Sequence, residues 1–497
     1  MENEFQKLMA KMKYRNLQAI ILVSMALFTN SHSTEIEWFK TYGGLYLDEA
    51  ISIQVTADGG FLAVGYTYNS STSGSDIYLI KTNSAGELNW HKAYGSMGDD
   101  WANCIQSTAD GGYIIAGGCD EPEAEENDVC LIKIDATGQK IWQRTYGGPG
   151  SEEANSVIQT SDGGYLLIGW TDSFGAGYDD IYLLRVNSTG DSLWAKTFGS
   201  IFYDKGFSAV ETSDGGFLIV SGLGYFGYYP IDTYLIRMDE NGDTLWTSSV
   251  GGSYSDACCS IIESNDSGYL LAGWTMSFGA GQHDVFVIKI DTLGQMLWHK
   301  AYGGANSDVG RSINPTSDGG SIVTGYTQSF GAGGYDLYII RNDYKGDSLW
   351  TETFGGANSD YGWSAIQSAD GGFVAAGWTN SFGEGSRDIL LVKFQSDLTG
   401  VDDKSYKSLP DDIALKQNYP NPFNSFTVIP YFINSRQHVT MKIYDLLGRE
   451  IGTPVNDVQE PGFYEVVFDA SALASGVYLY SLQSGSQTEI QKMILLK

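Results

Sequence analysis

Residues 50–94 read AISIQVTADGGFLAVGYTYNSSTSGSDIYLIKTNSAGELNWHKAY. Four strand-like runs stand out: 50–56 (AISIQVT), 61–67 (FLAVGYT), 76–82 (DIYLIKT) and 88–94 (LNWHKAY). ADGG joins the first two and NSAGE the last two, and Asp or Asn near Gly supplies the positive φ that tight hairpins need. Several runs are apolar on both parities, which demands cover on both faces of the sheet.

The stretch recurs with a period of 52 residues. Trp38, Trp90, Trp142, Trp194, Trp246, Trp298 and Trp350 keep that spacing without insertion. So do the turn acids Asp58, Asp110, Asp162, Asp214, Asp266, Asp318 and Asp370, and the strand-leading acids Asp76, Asp128, Asp180, Asp232, Asp284, Asp336 and Asp388. A strand-rich repeat of this length points to a propeller or another stacked β array. The expected fold is all-β, a seven-bladed β-propeller of 52-residue repeats over residues 34–395. A β-solenoid fits less well, because it would need caps at both ends.

The ends of the repeat region complement each other. Glu37–Tyr42 is a tryptophan strand standing before any complete unit, and the seventh unit stops at Asp388–Phe394 without one. The first strand should therefore complete the last sheet. With strands named A to D from the axis outward, A begins with a small residue in every copy (Ala50, Ala102, Ala154, Gly206, Cys258, Gly310, Gly362), as expected where seven strands converge. At the level of the repeat the pattern resembles the quinoprotein-like bacterial propellers; that resemblance implies a fold and says nothing about a bound quinone.

The chain has 497 residues, 60 acidic against 29 basic, and a formal charge of -31. Such a field repels phosphates, and no basic stripe is present, so nucleic acid is not an expected partner. Lys7, Lys11, Lys13 and Arg15 precede an apolar run from Leu17 to Phe28, which has the anatomy of a signal peptide over residues 1–33. The run is too short to span a bilayer as a helix, and no other stretch is longer, so no membrane span is expected in the mature chain.

After a polar linker at 396–412 a different module occupies 413–497. It opens with LKQNYPNPFN (415–424), continues through FTVIPYFI and VTMKIYDLLGREI, then shows PGFY (461–464) and SGVYLY (475–480), and ends in lysine. Its runs predict a small Ig-like β-sandwich of about seven strands. The motifs resemble, in order, the type A C-terminal sorting domain of the type IX (Por) secretion system; Ser425-Phe426 departs from the usual Pro followed by Ser or Thr. The resemblance implies passage from the periplasm across the outer membrane, with the secretion machinery as partner and the cell surface or the medium as destination.

Motifs of chemistry are sparse. The sequence holds no HExxH, CxxC pair, GxSxG or P-loop, and no metal, cofactor or catalytic set is expected. Calcium is the one ion the acids could take, through Asp48, Asp100, Glu152, Asp204, Asp256, Asp308 and Asp360 or the turns Asp239–Asp243 and Asp343–Asp347. Each loop offers too few ligands, and turn capping is the expected role. Cys119 and Cys130 replace the usual Thr and Tyr in one copy, on opposite sides of one hairpin, and an oxidised pair is expected there in an exported protein. Cys258 and Cys259 read as buried thiols.

The turns between A and B and between C and D are near-identical, so a partner should meet the opposite side, where side chains break the repeat. Those are Trp101, Tyr203, Tyr254, Tyr361 and Trp363, placed in the D–A loops, and His283, Tyr335 and Arg387, placed in the B–C loops. The recurrent Phe174, Phe226, Phe278, Phe330 and Phe382 read as loop packing. The expected function is an exported binding module for glycan or protein, not an enzyme. An extracellular polysaccharide lyase or glycosidase would need an acid cluster or a His–Tyr–Arg group on one face; a structural spacer or adhesin component would need neither.

Overall fold

Alternation of apolar strands with Gly-containing turns produces antiparallel sheet throughout. The computed structural model describes residues 36–69, 74–120, 126–223, 232–395 and, within 413–495, all but 416–417, 419–422, 424–425, 434–435, 447, 460–461 and 486. The signal segment and the linker lie outside the described residues. Two compact units result, Met1–Asp397 and Leu398–Lys497.

In the first unit each copy folds into a four-stranded antiparallel sheet with strands in sequence order. Copy 1 comprises Asp48–Val55, Phe61–Asn69, Gly74–Thr82 and Leu88–Tyr94, so strand A begins two residues earlier than its sequence pattern suggests. The seventh sheet takes its outer strand from the N-terminal end: Ile36–Tyr42 pairs antiparallel with Asp388–Phe394, Trp38 opposite Lys393 and Tyr42 opposite Ile389. That is the pairing the displaced tryptophan strand required. A single parallel bridge, Asp232 to Asp256, joins the fourth sheet to the fifth.

Apolar cores lie between successive sheets. One gathers Leu62, Val64, Ile77 and Leu79 of the first sheet with Ile105, Ile115 and Ile132 of the second. The last sheet packs on the first in the same way, through Val374, Ala376, Ile389 and Leu391 against Ala50, Ile53 and Phe61. Each A strand also lies beside the A strands of both neighbouring sheets, the first beside the seventh. This is a β-propeller arrangement with the A strands innermost. The small residues that open strand A are buried, and the reason is local: Gly206 abuts Ile168, Gly169 and Ile181 of the preceding sheet, where any Cβ would collide. At this position the small residue serves sheet-to-sheet contact.

Neighbouring sheets are also stapled at their outer strands. Trp90 lies against Gly138 in the next sheet's C–D turn, and Tyr94 donates its hydroxyl to the Gly138 carbonyl. Gly138 has a φ of 74°, so glycine is required there twice over, for the turn and for the indole. The A–B turns hold a second repeated device. Asp58 accepts Lys81, Asp162 accepts Arg185 and Asp370 accepts Lys393, all cations on the C strand whose side chains are nearly buried.

One A–B turn breaks the glycine rule. Ser267 takes a φ of 68° where Gly163 and Gly371 stand in other copies at 86° and 85°. A Cβ in that region strains the backbone, so Ser267→Gly should raise stability by about 1 kcal/mol, read as a higher denaturation midpoint.

Among the described residues the second unit has seven strands in two sheets, Ala414–Leu415, Phe426–Ile433 and Gly462–Asp469 in one, and Glu450–Gln459, Gln437–Asp445, Gly476–Ser484 and Gln487–Leu495 in the other. Both contribute to one core, which includes Ile429, Tyr431, Met441, Ile443, Tyr480 and Leu482. The motif residues build this core. Asn418 donates its backbone N–H to the Tyr480 hydroxyl and its amide to Thr427, and Phe423 is buried.

Candidate functional site

Three positions per copy vary while their neighbours repeat. They are the second and fourth residues of strand A and the sixth of strand B. The second A residue stands opposite the sixth B residue in the ladder, as Tyr361 does opposite Trp378 and Glu153 opposite Trp170. Every A strand then carries a bulge at its fourth residue, which has no cross-strand partner. Bulges re-aim side chains. Here the fourth residue joins the second: Trp101 Nε1 and Asn103 Nδ2 both donate to Glu153 Oε1, at 3.0 and 2.6 Å.

The sixth, seventh and first copies assemble the largest group. Arg311 donates Nη2 to the Tyr326 hydroxyl at 3.0 Å, and its guanidinium lies 4.7 Å from the centre of the Trp363 ring. Tyr326, Tyr335 and Tyr361 surround one another, with ring centres 4.3 to 5.1 Å apart. Tyr361 stacks on Trp378 at 4.4 Å, and Arg387 covers Trp378 at 4.3 Å while pairing with the buried Glu49 across the junction of last and first sheets. Burial pushes the Tyr361 hydroxyl up to about 12, so it is neutral at physiological pH, and Tyr335 shifts the same way for the same reason.

Two smaller groups share the inner edge. Glu153 also accepts Trp170 Nε1 at 3.2 Å, and Lys205 sits 3.9 Å over the Trp170 ring while bonding Asp179 at 2.9 Å. In the fifth copy His283 meets Trp274 edge-on at 5.0 Å, and its Nδ1 lies 2.9 Å from Ser307 Oγ. Burial lowers the His283 pKa, favouring the neutral ring.

Of the eight residues expected from sequence, Tyr335, Tyr361, Trp363 and Arg387 come together, Trp101 joins the Glu153 group, and His283 stands apart with Trp274. Tyr203 stacks on Tyr178 at 4.9 Å, and Tyr254 is exposed; both are in loops outside the gathering. Trp101, Tyr361 and Trp363 are on strand A itself rather than in the D–A loops. Sequence reading missed Glu49, Glu153, Lys205, Arg311, Tyr326 and Trp378. Their signal was available, since they occupy the variable columns of an otherwise constant strand.

The carboxylates that might have held calcium are engaged otherwise. Asp360 accepts Gly356 N at 2.8 Å and Ser381 Oγ at 2.6 Å, and Asp308 accepts Gly304 N at 2.7 Å. Asp239 and Asp343 cap their own turns. Among the described residues no three His, Cys, Asp or Glu side chains gather as a metal site. The expected Cys119–Cys130 disulfide is not formed; both are buried thiols. Cys119 stands opposite Asp128 and Cys130 opposite Gly117, so the two are diagonal neighbours. Diagonal Cβ atoms are about 7 Å apart, whereas a disulfide needs about 3.8 Å. With Cys130 in place of the tyrosine, a cavity of about 210 Å³ opens between Tyr94, Cys130, Ile132 and Gln143. Phe174, Phe278, Phe330 and Phe382 pack on neighbouring rings, as their recurrence suggested, and Phe226 lies outside the described residues.

Residues 417–496 match the secretion system C-terminal sorting domain family. The C-terminal domain is a type IX sorting domain. It directs the chain to the cell surface or beyond, and no helix among the described residues is long and apolar enough to cross a membrane. The regulatory protein FlaEY of Caulobacter vibrioides is 25% identical over 142 residues, which is 24% of this chain and 15% of FlaEY. PorZ, a surface component of the type IX secretion system of Porphyromonas gingivalis, superposes with a TM-score of 0.39 at 12% identity, covering 92% of this chain and 60% of PorZ. The β-propeller domain of the Trilobed protease from Pyrococcus furiosus gives 0.39 at 11% identity, covering 72% and 94%. Neither likeness extends to function.

Proposed function

We propose that the protein is a closed seven-bladed β-propeller joined to an Ig-like sorting sandwich, exported to bind a glycan at the inner edge of the ring. The observation that carries this reading is the gathering of Tyr326, Tyr361, Trp363, Trp378 and Arg311, on strands A and B, with Tyr335 and Arg387 from the B–C loops. Aromatic faces beside cations suit sugar rings, and a rigid scaffold holds them in place at little entropic cost. The mature protein should bind on a glycan array without releasing reducing sugar, and Tyr361→Ala with Trp363→Ala should abolish binding while the fold persists.

The lyase reading keeps one supporting observation, the Tyr326 hydroxyl held on Arg311, which supplies the Tyr–Arg part of the group such an enzyme would need. Release of unsaturated sugar products would favour it. A protein binding neither glycan nor protein would be a spacer.

Delivery has its own test. Removing residues 413–497 should strand a folded propeller in the periplasm of a type IX host, cutting the extracellular amount by more than about tenfold; normal release would deny the domain its sorting role.

A further inference from the structure

We propose that the ligand of this site carries a carboxylate and that Arg311 receives it: the glycan contains an acidic sugar, a uronic acid residue set among neutral ones. The proposal rests on the binding-module reading above and narrows its ligand class.

Arg311 differs from the other cations of the inner edge. Lys205 bonds Asp179, and Arg387 bonds Glu49. Among the described residues Arg311 makes no ion pair: it bonds the Tyr326 hydroxyl and lies against the rings of Tyr326 and Trp363. Acidic side chains outnumber basic ones by 60 to 29 in this chain, so scarcity does not explain the missing partner. An enclosed cation without a counter-charge is costly, and proteins pair such groups as a rule.

Two donors at this spot have no acceptor. Arg311 Nε and Trp363 Nε1 are both shut off from solvent and make no hydrogen bond. Arg311 as a whole is only part-buried, and a carboxylate offers two oxygens able to accept from the outer nitrogens of its guanidinium. The rings of Tyr335 and Tyr361 adjoin Tyr326, which Arg311 bonds, so an acidic group seated on Arg311 would carry its sugar ring toward aromatic faces. This favours an acidic sugar over an acidic peptide side chain, which has no ring to stack. The net charge of -31 opposes a polyanion, so one acidic residue among neutral sugars fits better than a continuous polyuronate.

The test uses the mature full-length protein and three probes, measured by titration calorimetry. These are a xylo-oligosaccharide bearing one glucuronate, the same compound with that carboxyl methyl-esterified, and the undecorated oligosaccharide; an oligogalacturonate and its methyl ester form a second set. The glucuronate-bearing xylo-oligosaccharide should bind about tenfold or more tighter than its ester, and tighter than the continuous oligogalacturonate. Arg311→Gln should erase that preference without lowering the melting temperature of the unliganded protein, because the cation meets its counter-charge only in the ligand. Equal binding of acid and ester, an acid preference that survives Arg311→Gln, or a melting temperature lowered by Arg311→Gln would overturn the proposal. In those cases the binding-module reading stands. If only neutral glycans bind on an array, the carboxylate is excluded and the module remains; if no glycan of any kind binds, both readings fall.

Discussion

A chain lacking residues 34–44 is expected to melt about 10 °C or more below the intact mature protein. The deletion removes Ile36–Tyr42, the outer strand of the last sheet, and leaves Asp388–Phe394 as an unpaired edge. It also removes the Trp38 ring from Phe61 and from Gly86, the Tyr42 bond to the Gly86 carbonyl, and Phe39 from Phe354 and Phe382. Three large side chains at about 1.5 kcal/mol each give a loss of about 4.5 kcal/mol before any ladder bonds are counted. The damage should be confined to the junction of the last and first sheets, so hydrogen exchange ought to rise in Asp388–Phe394 and not in the third sheet. A synthetic peptide spanning residues 34–44 should restore the melting temperature. An unchanged melting curve would mean that this strand does not hold the array together.

The second large effect is loss of stability in acid. Asp58 is held at about 2 by the hydroxyl of Thr56 and then by Lys81, and Asp110 at about 2 by Thr108 and Lys133. Asp214 lies at about 2 through Thr212 and Arg237. In Asp370 burial pushes upward, yet the bonds from Lys393 and Ser368 hold it at about 2. An unfolded aspartate titrates near 3.9. Depressed carboxylates therefore contribute stability in full above about pH 4 and lose it as pH falls toward 2. Asp232, Asp284, Asp336 and Asp388 move the other way, raised by burial and by a facing carboxylate, so their contribution is largest in acid and is lost as pH rises through their folded values. Below pH 4 the first ladder dominates, and the melting temperature should drop steeply from pH 4 to pH 2. Asp370→Asn should flatten part of that slope. At pH 7 it should cost about 3 kcal/mol, because it leaves the Lys393 ammonium, whose side chain is 2% exposed, without its counter-charge. Lys393→Met should cost less, since Asp370 is 60% exposed and can be solvated. Equal losses from the two substitutions would show that burial of the cation does not set the penalty.

The amino-acid sequence by itself determined the features that depend on neighbours along the chain. Turn residues and apolar runs recur every 52 positions, so strand number, strand order and the identity of the strand that completes the last sheet followed from local chemistry. The sorting domain was legible for the same reason, as its motifs are contiguous. What only the tertiary structure decided is which repeat-breaking side chains meet. Arg311 and Trp363 are 52 residues apart, and Arg387 and Glu49 are 338 apart. Their meeting depends on two features with no local signature: the packing of one sheet on the next, and the bulge that sets the fourth residue of strand A beside the second. Cys119 and Cys130 make the same point in reverse. One hairpin brings both to a shared face, but the register, fixed by packing across the whole sheet, holds them on a diagonal that a disulfide cannot span.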